Sequence, residues 1–470
     1  MKKFFVSTGL AAISAAGLQS TLAAGLDSVS PKAWSISGTL RGFYDDNYNI
    51  SNTKRGSWGG EVAPTVSVNL PLRQTDMGIR YNYGLYYYND RDSLGLNPFD
   101  QTHQVEVWLD HAINEQWHIK LTDTFAVGQE PDLLQGSGPQ AVQYRINGNN
   151  MANHASVSLD TQWTKMFGTS LHYGNDFYSY DNSGATVQPV GSALVYPTPY
   201  NIPGNHLFGN DPTQFAQLGG NGGASLAGLL DRIEQSVGLD LNWTLSPETI
   251  VGIGYGFSWA NYTGNEPVAV FNYLVPGSPN NLPQSYVYSS SSRDGSSHNI
   301  HASLKRQLTA NLDLNFVVGA SYSDNPNDPF NHSQTLSPSA DLSLSYTYSP
   351  GCYVQIGGSH SQSATDAIQP GAKNGITQFQ NASVVYADLN HRLTDKLVAT
   401  VIGRFQYTTF EDGLASSADE EDYNFGLNLT YLINRHFSAD LGYNFDDLVS
   451  GLNGRSYVRN RVYMGMTANF

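Results

Sequence analysis

The stretch Tyr423–Phe445, YNFGLNLTYLINRHFSADLGYNF, decides the fold. Tyr423, Phe425, Leu427, Leu429 and Tyr431 alternate with Asn424, Gly426, Asn428 and Thr430. After a turn at Asn434 and Arg435, Phe437, Ala439, Leu441, Tyr443 and Phe445 alternate with Ser438, Asp440, Gly442 and Asn444. Successive side chains of a strand point to opposite faces, so this is a β-hairpin with one apolar face and one small, polar face. A soluble sandwich would bury that apolar face against a second sheet, whereas a membrane barrel would turn it to lipid.

Working outward, the same unit recurs from Trp34 to Phe470: alternating stretch, tight turn, alternating stretch, longer loop. Short turns fall near Pro71 to Asp76, Ile113 to Gln116, Thr164 to Gly168, Ser246 to Thr249, Thr309 to Asn311, Ser349 to Gly351, Thr394 to Lys396 and Ile433 to Arg435. Longer loops fall near Ile50 to Ser57, Asp90 to Asp100, Glu130 to Asn150, Ser183 to Leu230, Gly264 to Ser296, Pro326 to Gln334, Ala367 to Gly375, Asp412 to Glu421 and Leu448 to Ser456. This predicts an all-β, up-and-down antiparallel transmembrane barrel of about 18 strands, with long extracellular loops and short periplasmic turns. Losing one weak hairpin would leave about 16; the weakest strand signals lie at Gly56 to Leu70 and Gln378 to Leu389. Aromatics gather at both strand ends, with Trp117, Trp163, Trp243, Tyr348, Tyr431 and Phe437 near the turns and Tyr44, Tyr87, Trp259, Tyr407 and Phe445 near the loops. Two aromatic levels are what the two interfaces of a bilayer select.

Composition agrees. Charged residues make up 14% of the chain and aromatics 12%, with 29 Tyr and 46 Gly, where soluble domains carry about 25% charge. No apolar run of bilayer-spanning length follows residue 24. Lys2 and Lys3, the apolar run from Phe4 to about Leu18 and the small residues before Gly25 read as an export signal over 1–24, with the barrel occupying 25–470. Loss of those two lysines would deepen a net charge of −16, and so acidic a chain is a poor nucleic-acid binder. The single cysteine, Cys352, excludes an internal disulfide framework.

The alternating pattern points Glu106, Asp110, Asp160, Asp240, Asp313, Asp341 and Asp440 into the lumen, most of them near short turns, as an acidic belt that would favour cations. Arg41, Arg80, Arg404, Arg459 and Arg461 fall on the first, third, fifteenth and last strands and would form a basic wall, giving a transverse field across the pore. The loop from Ser183 to Leu230 is too long for a plain connection; its end, Ala224 to Ile233 (ASLAGLLDRI), suits a short helix. Together with Glu130 to Asn150 it is expected to fold inward and narrow the pore. The 12 histidines are scattered; the pairs His298/His301 and His111/His118 lack a supporting ligand set, so neither a metal nor another cofactor is expected. Ser359, His360 and Ser361 form no nucleophile motif, and an enzyme is not expected.

Hairpins LTANLDLNFVVGASYSD (Leu308–Asp324), LTDKLVATVIGRFQYTTF (Leu393–Phe410) and INRHFSADLGYNFDD (Ile433–Asp447), with the closing strand RNRVYMGMTANF ending on Phe470, resemble the β-barrel porin type 2 family. The resemblance is clearest after Ser297. It implies an outer-membrane channel or a barrel linked to surface polysaccharide, and supplies no site residues. A final strand ending on an aromatic also resembles the signal read by outer-membrane assembly machinery. The expectation is therefore a barrel of a Gram-negative outer membrane, set in lipid, passing small hydrophilic solutes by diffusion and forming a homotrimer by analogy. The alternatives are a polysaccharide-export barrel and a surface-binding barrel with a closed lumen. With few residues ahead of the first strand, no plug domain is expected.

Overall fold

The computed structural model describes residues 33–128, 150–180, 226–264, 266–274, 283–327, 333–365, 370–371, 375–411, 418–452 and 454–470. The export-signal reading over 1–24 and the loop 130–149 lie outside them. Nine strands come first: β1 (Trp34–Asp45), β2 (Ser57–Pro71), β3 (Thr75–Tyr88), β4 (Phe99–Ala112), β5 (Trp117–Gly128), β6 (Asn150–Gln162), β7 (Phe167–Tyr180), β8 (Arg232–Ser246) and β9 (Thr249–Tyr262). Nine more follow: β10 (Gly295–Thr309), β11 (Leu312–Asn325), β12 (Ser333–Ser349), β13 (Cys352–Ala364), β14 (Phe379–Thr394), β15 (Leu397–Glu411), β16 (Asp419–Leu432), β17 (Phe437–Ser450) and β18 (Tyr457–Asn469).

All 18 join one antiparallel sheet in chain order, and β18 returns to pair with β1 from Ser37–Asn469 to Asp45–Arg461. The sheet is a closed barrel. Phe470 completes the closure, since its N–H donates to the Ile36 carbonyl at 2.9 Å and its carbonyl accepts from Ile36 N–H at 3.1 Å. Both weakly signalled strands are present, as β2 and β14, so the count is 18 and not 16.

Which face is apolar separates a membrane barrel from a sandwich. Leu40, Ile300, Val385 and Met464 are 61–67% exposed, and apolar side chains cover the outward positions of nearly every strand. The buried residues include many that are charged or polar, among them Asp45, Asp240, Arg404, Asp440 and Arg459. The polarity is the reverse of a soluble domain, and so continuous an apolar surface is stable only against lipid. At the short-turn end Trp117 packs edge-on against Trp163 at 5.5 Å, and Phe437 against Phe470 at 6.3 Å. Toward the long loops, outward tyrosines bond carboxylates: Tyr87 with Asp92, Tyr407 with Asp419 and Tyr423 with Glu421. Rings with one apolar body and one wet end suit an interface, so these mark the edges of the lipid band.

The lumen wall is packed by rings lying flat across glycines of the next strand. A Cβ at Gly442 would stand 2.0 Å from the Tyr463 ring, and one at Gly78 would stand 2.1 Å from Trp108. Only a residue without a side chain lets the ring settle there. Gly403, by contrast, faces open space. Gly442→Ala should lower the unfolding free energy of detergent-refolded protein by about 1–3 kcal/mol through this clash, while Gly403→Ala should change it by no more than about 0.5 kcal/mol. Urea unfolding followed by tryptophan fluorescence measures both.

Candidate functional site: the lumen and its mouth

The residues expected in the lumen share the inward phase of their strands, and the structure sets several of them beside partners of opposite charge. Arg41 donates from Nε to Asp440 Oδ2 at 2.8 Å, reaches Glu61 Oε1 at 3.5 Å, and lies over the Tyr463 ring. Arg80 meets Glu106 at 3.3 Å and lies over Trp108. Arg459 and Arg461 converge on Asp45, at 2.6 and 2.9 Å, and Asp45 is fully buried between them. Arg404 is buried on β15 and donates to Gln406. The expected basic wall is therefore not a field of unopposed cations. Carboxylates from strands one or two places away interleave with the guanidinium groups, because a charge held against a protein wall needs a partner within a few ångströms.

The acidic belt is likewise interleaved. Asp110 takes His118 Nε2 at 2.7 Å and Lys120 at 3.9 Å. Asp160 accepts from the Ser170 hydroxyl. Asp240 lies between His301, at 3.0 Å, and His172, at 3.6 Å. Asp440 belongs with Arg41 and not with the belt. Asp313 and Asp341, together with the buried Asp388, have no ion-pair partner among the described residues. They lie on β11, β12 and β14, and β12 stands half a circuit of the 18-stranded ring from β3, which carries Arg80. No group of three or more His, Cys, Asp or Glu among the described residues is placed to hold a metal ion. Cys352 is buried, and its Sγ accepts the Arg392 N–H at 3.3 Å.

At the long-loop end the mouth is built from segments that turn inward. The short helix expected near Ala224 to Ile233 is α2 (Leu226–Leu230), α1 being a single turn at Asn89–Ser93. It stops at Leu230 because Arg232 and Ile233 already belong to β8. Ala227, Leu229 and Leu230 are buried; the preceding part of that loop lies outside the described residues. Arg293, 2% exposed at the end of a 3-10 turn (Ser290–Arg293), donates to the carbonyls of Leu229 and of Thr365, the latter at 2.9 Å, and lies over the Tyr262 ring. Arg293 precedes β10 and Thr365 follows β13, three strand spacings apart, or about 15 Å along the wall. One side chain joins them only if the chain bends in over the lumen. Gln378 Nε2 donates to the buried Tyr288 hydroxyl at 2.7 Å and carries the same contact further. Burial raises the Asp294 carboxyl above its ordinary range, partly offset by the Tyr262 N–H that it accepts.

The upper wall changes where this happens. β12 pairs with β13 only up to Ala340–His360, although β12 runs on to Ser333 beside β11 and β13 runs on to Ala364 beside β14. Outward-phase Gln362 and Glu411 meet inward-phase residues of β11 and β12. Ser323 donates to Gln362 at 3.1 Å, and Thr335 donates to Glu411 at 2.8 Å. Ser337 donates to outward-phase Asn381 at 3.0 Å. The outer face of one segment touches the inner face of the next, so the upper ends of β13 to β15 lie inside those of β11 and β12.

Sequence reading missed Asp45, Asp388 and Arg293. Asp45 keeps the lumen phase of Arg41 on the same strand, and Asp388 has the opposite phase to the outward Val385, so both were legible from alternation; Arg293 sits in a loop, where no period exists.

With the geometry in place, this is a transmembrane barrel of the bacterial outer-membrane class. Residues 287–470 match the model of the family described as "Putative beta-barrel porin 2", the family that the hairpin motifs resemble. No curated protein matches the chain. Among solved structures, Pseudomonas aeruginosa OccK9 (OpdG) is 12% identical with a TM-score of 0.43, covering 93% of this chain and 98% of its own. Acinetobacter baumannii OccAB3 is 10% identical with a TM-score of 0.41, covering 93% and 99%. Likeness at this level is a matter of record; the fold rests on the strand pairing.

Removing the carboxylate from Asp45 takes away the buried group on which both guanidinium groups converge. Asp45→Asn should cost about 3–5 kcal/mol of stability. The loss will show as a lower temperature for conversion of the folded to the unfolded band in heat-modifiability gels.

Proposed function

We propose that the barrel is an outer-membrane channel that passes small hydrophilic solutes by diffusion and prefers cations. The observation that carries this reading is the charge balance of the wall. The lumen arginines that form ion pairs do so with carboxylates, while Asp313, Asp341 and Asp388 have no cationic partner among the described residues. A lumen with surplus fixed negative charge concentrates cations and repels anions. The inward-packed mouth supports a conduit narrower than the 18-stranded wall alone would give.

In this reading 1–24 is the export signal, 25–470 is the barrel, and Phe470 serves both closure and assembly. A homotrimer remains part of the proposal, by analogy with channels of this size.

The test is the reversal potential of the refolded protein in planar bilayers under a KCl gradient. The wild type should prefer potassium, and the double variant Asp341→Asn, Asp388→Asn should lower the cation-to-anion permeability ratio roughly two-fold or more. Reversing Arg41 and Arg80 should raise it. Chloride preference in the wild type, or no change in these variants, would refute the assignment. Absence of any conductance would instead favour the closed, surface-binding barrel, which the packed mouth also suits.

A further inference from the structure

We infer that the upper β13–β14 hairpin is a gate with two positions, one inside the mouth and one in the wall. This rests on the channel reading above.

The inside position is the one in the structure. The hairpin's tip residues Thr365, Thr377 and Gln378 are almost fully buried, held through Arg293 and Tyr288. Its outer face meets Ser323 through Gln362 and Ser337 through Asn381, and both of these amides also donate to Glu411 of the adjoining β15, which accepts from Thr335. This contact is polar. Hydrogen bonds of this kind exchange readily for others, whereas a close-packed apolar contact would fix the hairpin in place.

The wall position is written in the register. The last pair, Ala340–His360, continues upward as Ser339–Ser361, Pro338–Gln362, Ser337–Ser363 and Leu336–Ala364. Along that continuation the lumen-phase residues Ser337 and Ser339 meet the lumen-phase residues Ser363 and Ser361, so inner and outer faces match without a slip. Two edges of compatible length and phase lie next to each other and are left apart. Pro338, which has no N–H to give a ladder, weakens the wall pairing and keeps it from winning outright. In the inside position Ser363 Oγ is buried with no hydrogen-bond partner among the described residues. The wall position would return it beside Ser337. One segment with two hydrogen-bonded arrangements is the element that a gate requires.

Moving the hairpin to the wall withdraws Thr365 and Gln378 from Arg293 and Tyr288 and widens the mouth. It also closes the seam between β12 and β13, so the pore opens as the wall becomes continuous.

Two cysteine pairs in a Cys352→Ala background test this. Ser337→Cys with Asn381→Cys joins side chains already in contact and locks the inside position. Ser337→Cys with Ser363→Cys joins cross-strand partners of the wall position, where Cβ atoms come within disulfide reach. Both disulfides should form under mild oxidation of protein in native outer membranes, read by mass spectrometry of the digested protein. Conductance in planar bilayers should fall several-fold for the first pair and rise for the second, and reduction should reverse both. Failure of the 337–363 disulfide to form, whether or not 337–381 forms, overturns the gate. If both form and conductance stays unchanged in channels that do conduct, the hairpin moves without gating and the inference also fails. If both form and neither these variants nor the wild type conducts, the channel reading is what falls.

Discussion

Closure is the constraint on which the rest of the structure depends. Inside hydrocarbon no water is available to satisfy a backbone N–H or carbonyl, so a sheet can stand there only if it has no edge. The β1–β18 pairing removes the edge, and Phe470 extends the ladder to the last residue of the chain. The same seam carries the most buried charge of the wall, Asp45 between Arg459 and Arg461. These ion pairs bridge strands more than 400 residues apart in sequence, and they form only once the barrel has closed.

Once closed, the barrel sorts every strand into a lipid face and a water face. The lipid face is met with aliphatic side chains and bounded by tyrosines that keep one polar contact. The lumen face carries charge at a density that demands local compensation, and most of it is compensated by strands one or two places away. Asp313, Asp341 and Asp388, which have no ion-pair partner among the described residues, lie on β11, β12 and β14, across the ring from Arg80. The upper wall departs from the regular plan where β12 and β13 separate, and that departure brings Arg293, Tyr288 and Gln378 together above the lumen. Pore charge and mouth geometry thus come from different ends of the same strands.

The architecture was legible in the sequence because period-two alternation, tight turns and loop lengths are local. Tyr423–Phe445 alone defines two strands and their turn, and the strand ends elsewhere fall within a few residues of the turns read from composition. The phase of Arg41, Arg80, Asp240 and Asp440 was equally legible. Their partners were not, since Arg41 with Asp440, or Asp240 with His301, depends on register and on which strands become neighbours after closure. Hence a basic wall and an acidic belt were expected where alternating pairs exist. The mouth was legible only as an over-long loop ending in a helical stretch; Arg293 and the β12–β13 seam have no signature in a linear pattern.

The most direct test of the account is site-directed spin labelling along β17, from Ser438 to Val449 in a Cys352→Ala background, with protein reconstituted in lipid. Collision rates with oxygen, which concentrates in lipid, and with a water-soluble nickel chelate should oscillate with a period of two and in opposite phase. Ala439, Leu441, Tyr443 and Phe445 should follow oxygen, and Asp440 and Asn444 should follow nickel. Rates that vary smoothly along the strand, or that show the two probes in phase, would contradict a barrel with lipid on one face and a water-filled lumen on the other.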